Sequence, residues 1–472
     1  MNKFLIISLS LLVGSQNASA DMSMIHFRIH QFQTNQPKLR IEEKFLTDQN
    51  FDQRTDHFSS VDQRTFKQRY FVDSALVKGN PTSAPVIYYF CGEGTCEGAT
   101  NSALVNSIAQ KYGAHRVALE HRYYGYSQPF STLTAANLKY LSMSQAIEDL
   151  ASFQHYAQEQ LGLRGKWISV GGSYSGELSA FYRLKHPELV AGALASSAPV
   201  LSKDNFEEYD HYVAKVAGPE CLKAIQTTVS DVESKLKASA ASAMAVKKLF
   251  NADMIVDNVD FLYVMADMAA IAIQYGYQKQ FCDQIIAGSK SGQLIEAYAK
   301  IGTKLFANFG LTALQDSFQG AESIKPEDYL GWAGMRSWMY QSCTEFGYYQ
   351  VAYSNPAESS RSSYITLQYH NDACKRLFGL TTPVNVNRTN AMFYNNLFGA
   401  GVKNVFFTNG SNDPWSNLSI TEKNPNAESN PGLKFFTIEG SAHCDDLGSR
   451  VSTALTQARA EFDQLVNQWI SE

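Results

Sequence analysis

The stretch Trp167–Gly176, WISVGGSYSG, decides how the rest of the chain is read. Ile168, Ser169 and Val170 read as the end of a buried strand. Two glycines follow, and Ser173 stands just before Tyr174, Ser175 and Gly176. An apolar, helix-like run, Leu178–Leu184, comes next. A strand, a tight turn of small residues with a serine at its apex, and a helix together make the layout of a nucleophile elbow. Such a turn strains the serine backbone, so its neighbours must be small for backbone and helix to pack closely. The exposed Oγ then reaches a base, and the helix N-terminus points its amides at developing negative charge. The usual pattern is G-x-S-x-G. Ser175 stands where the last glycine is expected, and serine is small enough to be tolerated there. The same residues also admit a Gly/Ser-rich turn without chemistry, and two later segments choose between the readings.

Val402–Thr408, VKNVFFT, runs into Asn409-Gly410-Ser411-Asn412-Asp413-Pro414-Trp415, and Leu433–Ile438, LKFFTI, runs into Glu439-Gly440-Ser441-Ala442-His443. Each is a strand emptying into a small-residue loop, one ending in an acid and the other in a histidine. With Ser173 the order is Ser, Asp, His, the order of α/β-hydrolases. A serine hydroxyl is a poor nucleophile until a base takes its proton. His443 suits that task near neutral pH, and Asp413 would fix its tautomer and stabilise the imidazolium. Asp445 and Asp446 follow His443 directly and lack the strand–loop placement. Upstream, Pro85–Cys91, PVIYYFC, reads as a buried strand ending in Gly92-Glu93-Gly94. A turn there is where this fold presents its second oxyanion amide, so the expected oxyanion hole comprises Tyr174, Glu93 and Gly94.

Strands alternate with helices through the first two hundred residues. Thr65–Val72, Arg116–Glu120 and Val190–Ala195 read as strands; Ala103–Tyr112 and Leu141–Gln158 read as helices. That alternation implies a mostly parallel sheet with right-handed crossovers. From residue 201 to about 350 strand-like runs nearly vanish, and Val232–Phe250 and Met254–Tyr275 read as helices. The expected fold is therefore an α/β-hydrolase interrupted by a helical cap. The expected parts are a signal peptide at 1–20, a first hydrolase part at 21–200, a cap at 201–350 and a second hydrolase part at 351–472. Residues 21–50 are polar and read as an arm leading into the fold.

Length and composition set the outer bounds. The 472 residues are 44% hydrophobic and 18% charged, as in a globular protein with a sizeable core. A net charge of −5 without basic blocks gives nucleic-acid binding little support. Lys3, the apolar run Phe4–Val13 and Ala18-Ser19-Ala20 have the pattern of a secretory signal. No later stretch is long and apolar enough for a transmembrane helix, so a soluble chain outside the cytosol is expected, with no membrane association once the signal is removed. Seven cysteines leave at least one unpaired. Cys91 and Cys96 are close enough to bridge a short loop. Cys221–Cys282 and Cys343–Cys374 are the expected further pairs, leaving Cys444 free, although spacing does not fix connectivity. Neither C-x-x-C nor H-E-x-x-H occurs, and no metal or other cofactor is expected. Asn387, Asn409 and Asn417 lie in glycosylation sequons.

Several segments together resemble the S28 family of serine peptidases. They are FDQRTDHF at Phe51–Phe58, EHRYYGYS at Glu120–Ser127, GGSYSG at Gly171–Gly176, ASSAPV at Ala195–Val200, SCTEFG at Ser342–Gly347, NGSNDPW at Asn409–Trp415 and GSAHCDDL at Gly440–Leu447. They span nearly the whole mature chain in the family's order. The resemblance implies Ser173 as nucleophile, Asp413 as orienting acid, His443 as base, and a cap that restricts the cleft to short peptides or chain ends. It implies cleavage after proline, with a small apolar pocket for which Trp415, Trp332, Trp338, Glu93 and Tyr126 are candidate walls. Dimers occur in the family, and a homodimer is open here. The chain departs from the family at three positions. Ser175 stands where Gly or Ala is common, Tyr126 where an acid is common, and Cys444 where a second His is common. An exposed Cys444 beside the base would make activity sensitive to oxidation.

The resulting expectation is a secreted or lysosome-like serine exopeptidase acting on short peptides after proline or alanine. The alternatives are an esterase or lipase on the same fold and a non-catalytic hydrolase-like binding protein. Carboxypeptidase and dipeptidyl peptidase activity stay open, with Glu93, Glu345 and Arg122 as candidate ligands for a chain terminus.

Overall fold

The computed structural model describes residues 47–308, 332–424 and 429–472, together with Ser19–Ala20 and Ala313–Leu314, whose backbones pair in parallel. The segment 1–20 expected as a signal peptide lies outside them apart from its last two residues. Eight strands form one sheet: β1 (Thr47–Arg54), β2 (Thr65–Asp73), β3 (Val86–Phe90), β4 (His115–Leu119), β5 (Trp167–Gly172), β6 (Gly192–Ser196), β7 (Val405–Gly410) and β8 (Leu433–Ile438). Their order across the sheet is β8-β7-β6-β5-β3-β4-β2-β1. Every pairing from β8 to β4 is parallel, and β2 joins β4 and β1 antiparallel. This is an α/β-hydrolase fold, and the order reverses direction between β3 and β5, where ligand sites form in open parallel sheets.

The residue types explain the layers. Residues β3 through β7 contribute are buried on both faces, as strands covered by helices on each side must be. In β3 the side chains alternate. Tyr88 and Phe90 enter one core with Phe153, Trp167 and Tyr182, while Ile87 and Tyr89 enter the other with Ile168, Leu194 and Trp469. Helices α1 (Ala103–Tyr112), α2 (Met143–Gln160) and α3 (Tyr174–Lys185) cover the sheet along the chain's first half. The hydroxyl of Ser142 accepts from Gln145 N–H, which starts α2 sharply where the apolar period begins.

Between β6 and β7 the chain leaves the sheet. It forms α4 (Glu207–Ala217), α5 (Pro219–Ala238), α6 (Ala240–Leu249), α7 (Asn258–Gln274), α8 (Gln278–Ser291), α9 (Leu294–Asn308), α10 (Trp332–Gln341) and α11 (Leu367–Phe378). Helix α12 (Thr453–Ser471) returns to the sheet and packs Phe462, Val466 and Trp469 against it. Disulfides join Cys91 to Cys96, Cys221 on α5 to Cys282 on α8, and Cys343 to Cys374 on α11. These are the expected pairs. Cys444 is free and buried, so the exposure that oxidation sensitivity requires is lacking.

Strand β1 is a difference from expectation, since residues 21–50 read as an arm leading into the fold and the strand's first four residues fall in that span. Its sequence, TDQNFDQR, has no apolar alternation. It is an edge strand held by its full antiparallel register with β2 and by its one aromatic residue, Phe51, which packs on Phe153 and Tyr156 of α2. Among the described residues no helix is long and apolar enough to cross a membrane.

Candidate active site

The elbow forms as the small residues require. Ser173 has φ 58° and ψ −132°, between the end of β5 and the start of α3. Gly171 cannot carry a side chain, because a Cβ there would lie 2.0 Å from the Ser175 carbonyl oxygen. Ser173 N–H donates to Ser196 O at 2.9 Å, which pins the turn to the end of β6. Ser175 fills the place expected for glycine and adds a clasp: its Oγ accepts from Gly172 N–H at 3.0 Å and donates to Gly172 O at 2.8 Å. Ser175→Ala is accordingly expected to lower stability by about 1–3 kcal/mol, read as a lower urea midpoint with an unchanged slope.

The loops after β7 and β8 bring Asp413 and His443 together. Asp413 Oδ2 lies 2.7 Å from His443 Nδ1, with both side chains buried. A carboxylate only accepts, so Nδ1 carries the proton and Nε2 is left with its lone pair, the form a general base needs. The other carboxylate oxygen, Oδ1, accepts from Trp415 N–H at 3.0 Å and caps the short helix Pro414–Leu418. Burial alone would lower the proton affinity of His443. The charge of Asp413, its hydrogen bond and neighbouring Cys444 outweigh that, and hold the imidazole well above its ordinary 6.5. Asp446 is engaged elsewhere: it accepts from Ser196 Oγ at 2.5 Å and Thr408 Oγ1 at 2.6 Å, tying the His443 loop to the ends of β6 and β7.

Ser173 is partly exposed, and among the described residues its Oγ makes no hydrogen bond to His443. Such bonds often form fully only with substrate in place. The Tyr174 amide opens α3 and has no carbonyl four residues back to satisfy it. Gly94, expected as an oxyanion donor, is corrected: its N–H is spent on Gly92 O at 2.8 Å, because the turn closes on itself. The Glu93 amide, the other donor of that turn, is shared with its own carboxyl group.

A cavity with about 800 Å³ of atom-free space, its open mouth included, runs from Ser173 into the helical block. Near the serine its walls are Glu93, Tyr174, Pro199, Trp338, Tyr348 and Trp415. The rings support one another: Trp338 stacks on Tyr348 at 6.4 Å between centroids, and Tyr348 meets the Trp415 face at 5.4 Å and 81°. Asp267 on α7, Gln350 and His370 on α11 close the far end.

The other expected pocket residues divide. Trp415, Trp338 and Glu93 line the cavity, whereas the side chain of Trp332 lies outside the described residues. Tyr126 does not line it; its ring is 47% exposed and lies against the Arg69 guanidinium at 4.6 Å. Arg122 is no terminus ligand either. It binds Asp149 through two nitrogens at 2.7 and 2.6 Å and gives its other donors to the Thr55, Tyr140 and Arg54 carbonyls. Glu345 is turned away to accept from Met143 N–H at the start of α2. Asn409 is buried with its Nδ2 on Ile420 O, so of the three sequons only Asn387 and Asn417 are exposed.

One positioning residue escaped the sequence reading. The Gln274 carbonyl, at the end of α7, accepts from His443 N–H at 2.9 Å. Its side-chain oxygen accepts from Trp415 Nε1 at 3.0 Å and Tyr209 OH at 2.6 Å. Tyr275 sets its ring edge against His443. A lone glutamine closing the apolar run AAIAI was the only signal available.

The fold, an elbow serine and a buried Asp–His pair at one edge of a parallel sheet define a hydrolase of the α/β class. Residues 53–462 match the model of the family described as Serine carboxypeptidase S28. The chain belongs to that family of serine peptidases. It is 39% identical over 379 residues to "Probable serine protease EDA2" of Arabidopsis thaliana, covering 78% of this chain and 75% of that one. It is 30% identical to the thymus-specific serine protease of Mus musculus, covering 89% and 87% of the two chains. To the lysosomal Pro-X carboxypeptidase of Bos taurus it is 26% identical, with the same coverage of 89% and 87%.

Proposed function

We propose that this protein is a serine exopeptidase working outside the cytosol, which cleaves short peptides after proline or alanine. Ser173 is the nucleophile, His443 the base and Asp413 its orienting acid. The observation that carries the reading is the 2.7 Å Asp413–His443 bond beside an elbow serine that opens into an aromatic-walled cavity. His443 Nε2 takes the Ser173 proton while Oγ bonds to the scissile carbonyl carbon. The oxyanion that forms faces the Tyr174 and Glu93 amides. Collapse breaks the C–N bond, and His443 returns the proton to the leaving amine. Water, deprotonated by the same imidazole, then hydrolyses the acyl-serine and frees the enzyme.

The slot between Trp338, Tyr348 and Trp415 suits a compact apolar ring such as proline. The helical block over it favours chain ends over the middle of folded substrates. Three disulfides among the described residues support an oxidising compartment. The test is a series of fluorogenic peptides differing only at the residue before the scissile bond, with active-site titration by a fluorophosphonate. Pro and Ala are expected to exceed Leu and Lys in kcat/KM by at least about tenfold, the worth of a well-fitted apolar group. Titration of Ser173 with hydrolysis of p-nitrophenyl esters but of no peptide would make the protein an esterase instead.

A further inference from the structure

The wall of the cavity carries one acid without an ion-pair partner among the described residues. Glu93 is 9% exposed, lines the cavity with Ser173, and among the described residues has no Lys or Arg ion-pair partner and no side-chain donor; the charge that acts on it is that of His443. Its position is tightly set. The preceding Gly92 packs on Ser175, where a Cβ would touch Ser175 Cβ at 3.4 Å. On the other side the Glu93 carbonyl would lie 3.5 Å from a Cβ on Gly334 of α10. The backbone that carries Glu93 is therefore held between the elbow and α10.

The remaining charges of the cavity do not alter its sign. Asp267 at the far end is matched by Arg361, whose Nη2 lies 3.0 Å from Asp267 Oδ1 and 2.9 Å from Gln350 Oε1. Arg361 stands behind that wall, between the Tyr209 and Tyr263 rings, and does not line the cavity. No Lys or Arg is among the described lining residues. His370 lines the far end with its Nε2 buried and unpartnered. Burial, reinforced by the Arg361 charge, pushes it down to about 3, so it stays neutral at working pH. A substrate carboxylate entering this cavity would lose its hydration and meet no cation, which is costly. An ammonium group would meet an unpaired carboxylate.

Resting on the peptidase reading above, we infer that Glu93 anchors the free α-ammonium group of the substrate, so that the enzyme removes one or two residues from the amino terminus. It is a specificity residue on the amino-terminal side of the scissile bond, and it makes the activity aminopeptidase or dipeptidyl peptidase in direction. The electrostatics agree with the geometry. Burial, opposed by its own backbone N–H and by His443, pushes Glu93 up to about 7. A cationic partner restores its charged form.

The experiment compares Ala-Pro-coumarylamide, its N-acetyl form and N-acetyl-Ala-Pro-Phe on the purified protein and on Glu93→Gln. Acetylation is expected to lower kcat/KM about 10- to 150-fold, mainly through KM, the loss that follows when a buried charge is left unpaired. In Glu93→Gln the free-amine substrate is expected to lose most of that advantage. Cleavage of N-acetyl-Ala-Pro-Phe at or above the rate of the free-amine substrate would overturn the inference. A binding arm needs no turnover: Ser173→Ala protein is titrated calorimetrically with Ala-Pro-amide and N-acetyl-Ala-Pro-amide. At least tenfold tighter binding of the free amine, abolished by adding Glu93→Gln, supports the anchor; equal affinities overturn it. Absence of Ser173-dependent peptide hydrolysis with that preference intact would sink the peptidase reading and leave the amine site standing.

Discussion

Ser173→Ala is expected to lower kcat for peptide hydrolysis by about 10⁶-fold, to a floor set by binding and the oxyanion amides. The change removes one oxygen that holds nothing else together. Ser173 Oγ has no hydrogen-bond partner among the described residues, and the residue is partly exposed at the cavity mouth. Alanine keeps the Cβ, so the cost of φ 58° is the same in both proteins. The turn is fixed by backbone, through Ser173 N–H on Ser196 O and Glu177 N–H on Ser173 O. The melting temperature and the affinity for Ala-Pro-amide should therefore stay close to those of the parent protein while turnover disappears. That combination separates a lost nucleophile from a lost fold. A variant that retains a tenth of the parental kcat would remove Ser173 from the chemistry and with it the acyl-enzyme.

The parts of this site that could be read in the sequence are those a strand delivers by itself. A buried parallel strand must end at the same sheet edge as its neighbours, so Ser173, Asp413 and His443 were legible as residues just past β5, β7 and β8. The three disulfides are the pairs expected from the order of the cysteines, although connectivity itself is fixed only by which segments pack together. What the sequence hid is what depends on contacts between distant segments. Gln274 reaches His443 across 169 positions of chain only because α7 folds back over the sheet. Asp267 and His370 meet at the cavity's far end by the packing of α7 and α11, for which no local pattern exists. Gly94 and Tyr126 were misassigned for a related reason. A motif gives the residue type but not which hydrogen bond its amide makes or which neighbour takes its ring. Strand β1 was missed because an edge strand with polar residues has no hydrophobic period to reveal it.

Asp413→Asn is expected to lower kcat by about 10⁴-fold and to move the acid limb of the pH profile downward. Asparagine preserves the shape of the side chain and can still cap Trp415 N–H through its oxygen. If that oxygen stays on Trp415, the amide nitrogen faces His443 Nδ1, and the ring must present its lone pair there and its proton at Nε2. The base is then in the wrong tautomer for Ser173. The pH effect has a definite sign. In the parent protein burial pulls the imidazole pKa down and Asp413 pushes it further up, so the net value lies well above 6.5. The base form, and with it kcat/KM, should rise with pH along a limb centred above 6.5. Without the Asp413 charge burial is opposed only by Cys444 and Glu93, and the limb should shift toward lower pH. Stability should follow the same linkage. A folded-state pKa raised above the unfolded one contributes stability that is full below the unfolded value and is lost as pH rises through the folded value. Urea melts of the parent should thus show an acid-side advantage that fades as pH climbs through the His443 value, and Asp413→Asn should flatten that slope. A variant with an unshifted limb and an unchanged slope would mean that the 2.7 Å bond does not govern the proton of His443, and another group would have to be sought as its partner.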